Sequence, residues 1–289
     1  MRVALGQFGA QLGNVRANLD TMRAMVADAA RADAEVVCFP ELSLSGYLLD
    51  AGAYTPQLMR EVADAVDKLA AASSRHDLTL VYGAPERVDG ALRNAVIMQL
   101  PTGSRITYAK THMDAVERAV FHRGDRFVVD QRGIGVACCY DLAFPEPARA
   151  VNLLGARALV VPMAWEAKRG FVMANVVPAR AVENVFYVLC ANQCGAVGPF
   201  TFRGGSCVVD PLGGMCVRLG DDEGLAVSDL ELDWVSRLRD RRDDRSYPLV
   251  ADRRPELYEI LTYEGSELRR NAGSAVKNES GQISQTFIR

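Results

Sequence analysis

The hydrophobic positions along the first part of the chain follow two periodicities, which predict alternating strands and helices. Short apolar runs at residues 3–8 and 35–39 have the length of buried strands. After Asn14, apolar residues recur at the spacing of one helix face, and Asn14 itself is a suitable N-cap. A second helix is predicted after Thr55, where a capping residue is followed by Pro56 in the first turn. This part of the chain therefore has the predicted order β-α-β-α.

The middle of the chain has a different pattern, in which β-rich runs follow one another without a helix between them. They are separated by the dipeptides 89–90 (Asp-Gly) and 102–103 (Thr-Gly), which predict hairpin turns. Further strands are predicted at residues 78–84, 92–100, 105–108, 127–129, 133–138, 159–162, 185–191, 206–210, 215–219 and 225–229, and further helices at 145–154, 171–184, 233–239 and 255–261. Hairpins within a strand–helix alternation favour mixed α/β sheets covered by helices over a purely parallel sheet.

The composition is that of a protein with one large core. Of the 289 residues 49% are hydrophobic, and the formal net charge of −3 gives no reason to expect nucleic acid or an acidic membrane as a partner. No apolar run reaches the ~18 residues of a membrane helix, and the first apolar run is too short for a signal peptide. Residues 263–289 are polar and lack apolar periodicity. We therefore predict one domain over residues 1–262 and a C-terminal tail that is flexible or contacts another subunit.

The seven cysteines indicate free thiols in a reducing compartment. Their number is odd and most of them lie in apolar runs, so a disulfide framework is not expected and a cytoplasmic location is. Cys190 and Cys194 have no matching Cys or His pair nearby, so no metal site is predicted.

The sequence around one cysteine, Cys139, is suitable for a catalytic nucleophile. The segment GIGVACCYDLAFPE places it at the end of an apolar strand, and Pro145 begins the next helix. A thiol there is expected to be exposed at a sheet edge, beside main-chain N–H groups able to stabilise an oxyanion. Cys138 is expected to point to the opposite face, into the core. Because free cysteines are usually buried structural residues, the prediction depends on partner groups.

Those partner groups come from two other strand ends. A nucleophilic cysteine usually needs a base, most often histidine, but His112 and His122 belong to no Cys-His motif and are expected to be surface or packing residues. Predicted strands also end at Glu41, a carboxylate able to act as base, and at Lys110, a cation able to activate the thiol or hold an oxyanion. The ends of strands are where α/β folds commonly place catalytic groups.

These segments resemble the signature blocks of the nitrilase superfamily of carbon–nitrogen hydrolases, whose catalytic triad is Glu-Lys-Cys in this chain order. The resembling blocks are residues 39–41, 108–112 and 139–146. The segment of Glu117, Phe121 and Gly124 resembles the block that carries the family's second glutamate. Later blocks, at residues 179–184 leading to Asn192 and at 205–213, also match, so the resemblance spans residues 1–262.

The resemblance implies a four-layer α-β-β-α sandwich, usually assembled as a homodimer or a higher homo-oligomer, and a mechanism without a cofactor or metal. Glu41 would take the proton of the Cys139 thiol, which would attack an amide carbonyl and form a thioester. Lys110 and the N–H of Tyr140 would hold the oxyanion. Glu117 would orient Lys110 or the substrate nitrogen.

The resemblance extends to the amidase branches of the superfamily. Tyr140-Asp141 replaces the Trp-Glu of true nitrilases, and Ala143 stands where members that act on ω-amides of keto acids carry an arginine that would pair with a carboxylate. Residues 247–258 resemble aliphatic ω-amino amidases such as 5-aminopentanamidase, and also stereoselective amidases. The expected substrate is therefore a small aliphatic primary amide.

Four further residues are predicted to bind the substrate at the rim of the pocket. They are Tyr47, Met163, Trp165 and Glu166, of which Glu166 is placed to pair with a substrate ammonium. The same residues leave three alternatives open: an N-carbamoyl amine as substrate, a nitrile as substrate, and a non-catalytic binding protein.

Overall fold

The computed structural model describes residues 1–258, which form two six-stranded sheets, a separate hairpin and six α-helices. The strands are β1 Arg2–Gln7, β2 Val36–Cys38, β3 Thr79–Val88, β4 Ala91–Gln99, β5 Arg105–Ala109, β6 Val128–Val129, β7 Ile134–Val136, β8 Ala158–Met163, β9 Tyr187–Asn192, β10 Cys194–Val197, β11 Phe200–Arg203, β12 Cys207–Val209, β13 Met215–Arg218 and β14 Gly224–Asp229. The helices are α1 Val15–Arg31, α2 Pro56–His76, α3 Ala115–Arg118, α4 Pro145–Leu153, α5 Gly170–Asn184 and α6 Leu232–Arg239. Short 3₁₀ turns lie at Ala51–Ala53, Cys139–Ala143, Ala167–Arg169 and Pro255–Leu257.

The two large sheets share one plan, with three parallel strands at the centre and antiparallel strands at the flanks. The first has the order β14-β1-β2-β3-β4-β5, with β1, β2 and β3 parallel. The second has the order β13-β12-β9-β8-β7-β6, with β7, β8 and β9 parallel. The prediction of mixed sheets with hairpins is therefore confirmed.

The sheets stack face to face, and helices cover both outer faces. Along β1, Val3 and Leu5 belong to the core between the two sheets, whereas Ala4 between them packs with helices α1 and α2. This alternation follows from the two-residue period of a strand. Val177 and Ala181 of α5 belong to the same cluster of buried residues as the second sheet, against which α5 packs. The layers are thus helices, sheet, sheet and helices, and the predicted four-layer sandwich is confirmed.

The local signals that predicted element boundaries have the expected geometry. The Asn14 side chain accepts a hydrogen bond from the N–H of Ala17, and Thr55 accepts one from the N–H of Leu58. Between β3 and β4, Asp89 and Gly90 both have positive φ angles, 51° and 81°, which are typical of a tight type I′ hairpin.

Several predicted boundaries differ from the structure. The strand predicted at 185–191 begins only at Tyr187, because Val185 adopts a left-handed φ of 50° that ends α5. The hairpin β10–β11 was missed, because its two strands are only four residues long and residues 198–199 (Gly-Pro) break the pattern. Of the helix predicted at 255–261, the turn Pro255–Leu257 is present, and the residues after 258 lie outside the described part.

The described chain falls into two compact units. The first, Met1–Leu249, contains both sheets and all six helices, and residues 250–258 belong to the second unit. The predicted boundary at residue 262 lies outside the described residues and stays a prediction. None of the helices within residues 1–258 is long and apolar enough to cross a membrane.

Candidate active site

The three strand ends predicted to carry chemistry meet where the two sheets face each other. Glu41 follows β2 and Lys110 follows β5 of the first sheet, whereas Cys139 begins the 3₁₀ turn after β7 of the second. The second sheet also holds Glu41 in place. The N–H of Glu41 donates to the carbonyl of Met163 on β8, and its own carbonyl accepts from Gln193 Nε2.

Lys110 lies at the centre of a buried cluster of charges. Its Nζ is 2.7 Å from Oε1 of Glu41 and 2.6 Å from Oε1 of Glu117, and its side chain is 0% exposed. Oε2 of Glu41 is buried and has no hydrogen-bond partner among the described residues. Buried charges of this kind persist only when they are paired, so the three side chains form one electrostatic unit.

Burial and the neighbouring charges set the protonation states of this cluster. Burial lowers the pKa of Lys110, but the neighbouring acidic groups, of which the Glu41 carboxylate acts most strongly, together outweigh burial and hold that pKa well above its ordinary value. Burial also raises the pKa of Glu117, although Lys110 opposes the shift. The pKa of Cys139 is raised by burial and then by the charge of Glu41. The thiol therefore carries its proton at neutral pH, and a base must remove it before sulfur can attack.

Cys139 is more enclosed than the sequence predicted. It is 4% exposed, because residues from both sheets surround it, and it is not open at a sheet edge. Its φ of 45° is unusual for a residue with a side chain. Such strain commonly marks functional positions, where a sharp turn after a strand presents a nucleophile. Cys138 is fully buried in the core, as predicted.

The backbone at Glu41 is shaped by a close approach to β3. Leu42 has a positive φ of 49°, and a Cβ built on Gly83 would lie 2.0 Å from the Leu42 nitrogen. Only glycine at position 83 leaves room for this approach.

We expect Gly83→Ala to displace Glu41, because the added methyl group meets main-chain atoms that cannot rotate away. The free energy of unfolding should fall by about 1–3 kcal/mol, and turnover should fall by at least about tenfold as Glu41 leaves its place. Urea denaturation and steady-state kinetics measure the two effects. Gly103→Ala is the control for turnover, because nothing lies near a Cβ there, although its positive φ makes this substitution destabilising as well, by about 1 kcal/mol or more. Equal turnover in the two variants would contradict the account.

A buried carboxylate, Asp141, ties the lysine segment to the cysteine turn. It accepts hydrogen bonds from Tyr108 Oη at 2.7 Å, Thr111 Oγ1 at 2.8 Å, the N–H of His112 at 2.8 Å and the N–H of Cys138 at 2.9 Å. The His112 ring lies 3.1 Å from it and stacks on Phe144. The prediction that His112 is an ordinary surface or packing residue was therefore incomplete, because this half-buried ring is bonded to a buried carboxylate. Burial alone would raise the pKa of Asp141, but hydrogen bonds from His112 and Tyr108 lower it below its ordinary value.

Because the pKa of Asp141 is lowered in the folded protein, its contribution to the free energy of unfolding should depend on pH. A carboxyl group whose pKa is depressed by folding stabilises the protein above its unfolded pKa of ~3.9, and this stabilisation is lost as the pH falls through the folded value. The difference in free energy of unfolding between the native chain and Asp141→Asn should therefore be largest at neutral pH and shrink below about pH 4. Urea denaturation from pH 7 to pH 3 tests this, with the exposed Asp64→Asn as control. A difference that stays constant over this range would contradict the prediction.

A narrow cavity of about 50 Å³ leads to the thiol. Its lining residues are Tyr47, Lys110, Asp114, Glu117, Cys139, Tyr140, Ala164, Trp165, Glu166 and Arg169. Four of the five residues expected to bind substrate, including Tyr140, therefore line it. The exception is Met163, whose side chain is fully buried in the hydrophobic core, because it lies on β8, which is buried along its whole length.

Two charged lining residues, Asp114 and Arg169, were missed by sequence reasoning. Asp114 caps the short helix α3 that carries Glu117, and a capping residue three positions before the glutamate was a detectable signal. Arg169 had no such signal. Glu166, expected to meet a substrate ammonium, pairs with Lys168 at 2.9 Å.

The missed hairpin β10–β11 packs against a residue of the cavity wall. The ring of Tyr47 packs edge-on against Phe200 and Phe202 of β11, with centroid distances of 5.4 and 6.2 Å. Within residues 1–258, no three metal-ligating side chains lie close enough together to hold a metal ion.

Comparisons with known proteins identify the family of this chain. The family model of carbon–nitrogen hydrolases matches residues 2–240. The chain is 33% identical over 259 residues to an (R)-stereoselective amidase of a Pseudomonas species, covering 88% of this chain and 92% of the relative. It is 34% identical over 271 residues to a hydrolase encoded in the pqqF 5′ region of Pseudomonas protegens, covering 91% and 92%.

Solved structures of an amidase from Nesterenkonia sp. are similar in fold. One covers 90% of this chain and 96% of that chain, with a TM-score of 0.80 and 29% identity. Another, of a variant of that amidase, carries the acetamide moiety of fluoroacetamide on its active-site cysteine. The predictions of a nitrilase-like fold and of an amidase-type enzyme are confirmed. The chain belongs to the carbon–nitrogen hydrolase family of the nitrilase superfamily.

Proposed function

We propose that this protein hydrolyses small aliphatic primary amides to a carboxylic acid and ammonia, through a thioester on Cys139. The observation that carries the proposal is the cavity of about 50 Å³ whose wall includes Cys139, Lys110 and Glu117. A single water molecule needs roughly 10–15 Å³, so the cavity has room for a small molecule and not for a large one. That size suits a short amide.

In the proposed first step Glu41 acts as general base. Its Oε1 is bonded to Lys110, whereas its buried Oε2 has no partner among residues 1–258 and is therefore the oxygen available for a proton. Oε2 takes the proton of the Cys139 thiol while sulfur forms a bond to the amide carbon. The carbonyl π electrons move to oxygen, and the resulting oxyanion is held by Lys110 Nζ and the N–H of Tyr140.

In the steps that follow, the oxyanion collapses and the C–N bond breaks. Glu41 gives its proton to the departing nitrogen, which leaves as ammonia, and the acyl group stays on sulfur as a thioester. A water then loses a proton to Glu41 and adds to the thioester carbon. Collapse of that second intermediate releases the acid and returns the proton to Cys139.

Glu117 is proposed to keep Lys110 in place throughout this cycle. Its 2.6 Å contact with Nζ restricts the ammonium to the floor of the cavity, and its position on the lining brings its carboxylate within reach of the amide N–H₂ group. This role requires an ionised Glu117, which the Lys110 charge favours against burial.

The relatives support an amide as substrate. A variant of the Nesterenkonia amidase has been solved in complex with butyramide, and the similar Pseudomonas enzyme is named an (R)-stereoselective amidase. The fold and the family are shared with this chain, so a short primary amide is the first substrate to test.

The experiment is ammonia release from a panel of acetamide, propionamide, butyramide, pentanamide and 5-aminopentanamide, with N-carbamoyl amines and nitriles alongside. The proposal predicts release from the short amides without carbon dioxide. Release together with carbon dioxide, from carbamoyl compounds only, would overturn it in favour of ureido hydrolysis. A clear preference for 5-aminopentanamide over pentanamide would support ammonium binding by Glu166, whereas equal rates would count against it.

A further inference from the structure

Strand β4 contains a buried polar residue that the catalytic cycle above does not use. Asn94 is fully buried, and its neighbour Ala95 is buried as well. Asparagine is uncommon in strands, and burial of an amide costs free energy unless the amide is hydrogen-bonded. A buried asparagine at this position is therefore expected to have a hydrogen-bond partner.

The partners of Asn94 are two members of the charge cluster. Its side-chain Nδ2 donates to Oε1 of Glu41 at 2.7 Å, and its main-chain carbonyl accepts from the N–H of Lys110 at 2.9 Å. These bonds connect Glu41, in the loop after β2, to Lys110, directly after β5. One asparagine thus contacts both the base and the cation of the proposed mechanism.

The hydrogen bond from Asn94 also makes the two oxygens of Glu41 unequal. Oε1 accepts from Asn94 and from Lys110, both at 2.7 Å, whereas Oε2 accepts from no group among the described residues. A carboxylate is otherwise symmetric and turns readily about its terminal bond. Two donors that converge on one oxygen hold the plane of the carboxylate and leave the other oxygen free.

We propose that Asn94 is a positioning residue for the general base. By donating to Oε1 it fixes the Glu41 carboxylate so that Oε2 receives the thiol proton, and it stabilises the ionised form that can do so. The proposal rests on the proposed function of Glu41. Asn94 acts through Glu41 and takes no part in bond making.

Loss of this donor has a signature that differs from a loss of packing. Turnover falls because Glu41 is less well oriented, while KM changes little because the substrate does not contact Asn94 in this scheme. The acidic limb of the pH–rate profile moves to higher pH, because one bond that favours the ionised carboxylate is gone. A purely structural role would lower thermal stability and leave kcat and the acidic limb of the pH–rate profile unchanged.

The test compares Asn94→Leu and Asn94→Asp with the native chain. Asn94→Leu removes the donor at similar volume. Asn94→Asp keeps the shape and places an oxygen where Nδ2 stood, so it serves if the leucine variant fails to fold. We expect kcat on butyramide to fall roughly 10- to 100-fold in each, with KM within about threefold and the acidic limb shifted upward.

The matched control is Asn152→Leu. Asn152 is another buried asparagine, and its Nδ2 donates to the main-chain carbonyl of Asn184; neither residue lines the cavity. This variant should lose stability and keep the native pH profile. A folded Asn94 variant with native kcat and a native acidic limb would overturn the proposal.

A second readout separates this proposal from the proposed function. The rate at which iodoacetamide alkylates Cys139 at pH 7, followed by mass spectrometry, needs no turnover. We expect alkylation in the Asn94 variants to slow about tenfold, because proton removal by Glu41 is impaired. If the native chain releases no ammonia from any amide, the proposed function fails, and the alkylation rates still decide on Asn94: slower alkylation supports the proposal and an unchanged rate overturns it.

Discussion

Cys139→Ala should lower the rate of ammonia release from primary amides by at least about 10⁴-fold, while the protein stays folded. The substitution removes the only atom proposed to bond to the substrate and leaves Glu41, Lys110 and Glu117 in place. Because it deletes a single buried atom, the free energy of unfolding should change by about 1 kcal/mol or less. Ammonia assays and urea denaturation measure the two quantities.

The control for this loss is Cys216→Ala, which removes the exposed thiol on β13. That variant should release ammonia at the native rate. Substantial turnover by Cys139→Ala would show that another group attacks the amide, and the proposed mechanism would then be wrong.

Lys110→Met should have the second-largest effect, because it removes activity and stability together. The substitution leaves the carboxylates of Glu41 and Glu117 buried without their shared cation. Breaking a buried ion pair in this way costs about 3–5 kcal/mol at neutral pH. The cost should decrease on acidification, since the pKa of Glu117 is already raised by burial and protonation relieves the repulsion. Urea denaturation at several pH values tests both statements.

Lys68→Met is the matched control for the loss of a lysine. Lys68 pairs with Asp64 on the exposed face of α2 at 2.6 Å, and exposed pairs contribute about 1 kcal/mol or less. If Lys110→Met had the same free energy of unfolding as Lys68→Met at pH 7, the claim that Lys110 stabilises the protein by pairing with the two buried carboxylates would be wrong.

The features that the sequence predicted well are those with local causes. The helix starts at Asn14 and Thr55 depend on hydrogen bonds within three residues, and the β3–β4 turn depends on the Asp89-Gly90 dipeptide. The hairpin β10–β11 was missed because four-residue strands carry too short a pattern to be recognised. The place of Met163 was missed because its strand is apolar throughout, so no alternation showed which side chains face the pocket.

The candidate site was predicted through its resemblance to a family, and the contacts around it were not predictable from local pattern. Asn94 and Glu41 are 53 positions apart and are brought together by the strand order of the first sheet, whereas Asp141 meets Tyr108 across 33 positions because the two sheets pack together. An asparagine within an apolar strand was nevertheless a visible signal of a buried polar contact. The predicted homodimer and cytoplasmic location stay predictions.

The most direct test of the central proposal is to look for the acyl group on sulfur. The native chain is mixed with butyramide, quenched in acid within milliseconds to seconds, digested with trypsin and examined by mass spectrometry. Cleavage after Arg132 and Arg149 releases one peptide, residues 133–149, that contains both Cys138 and Cys139, and fragmentation distinguishes them. The account predicts a butyryl group on Cys139 alone. Steady ammonia release with no acyl group on Cys139 at any quench time would contradict it.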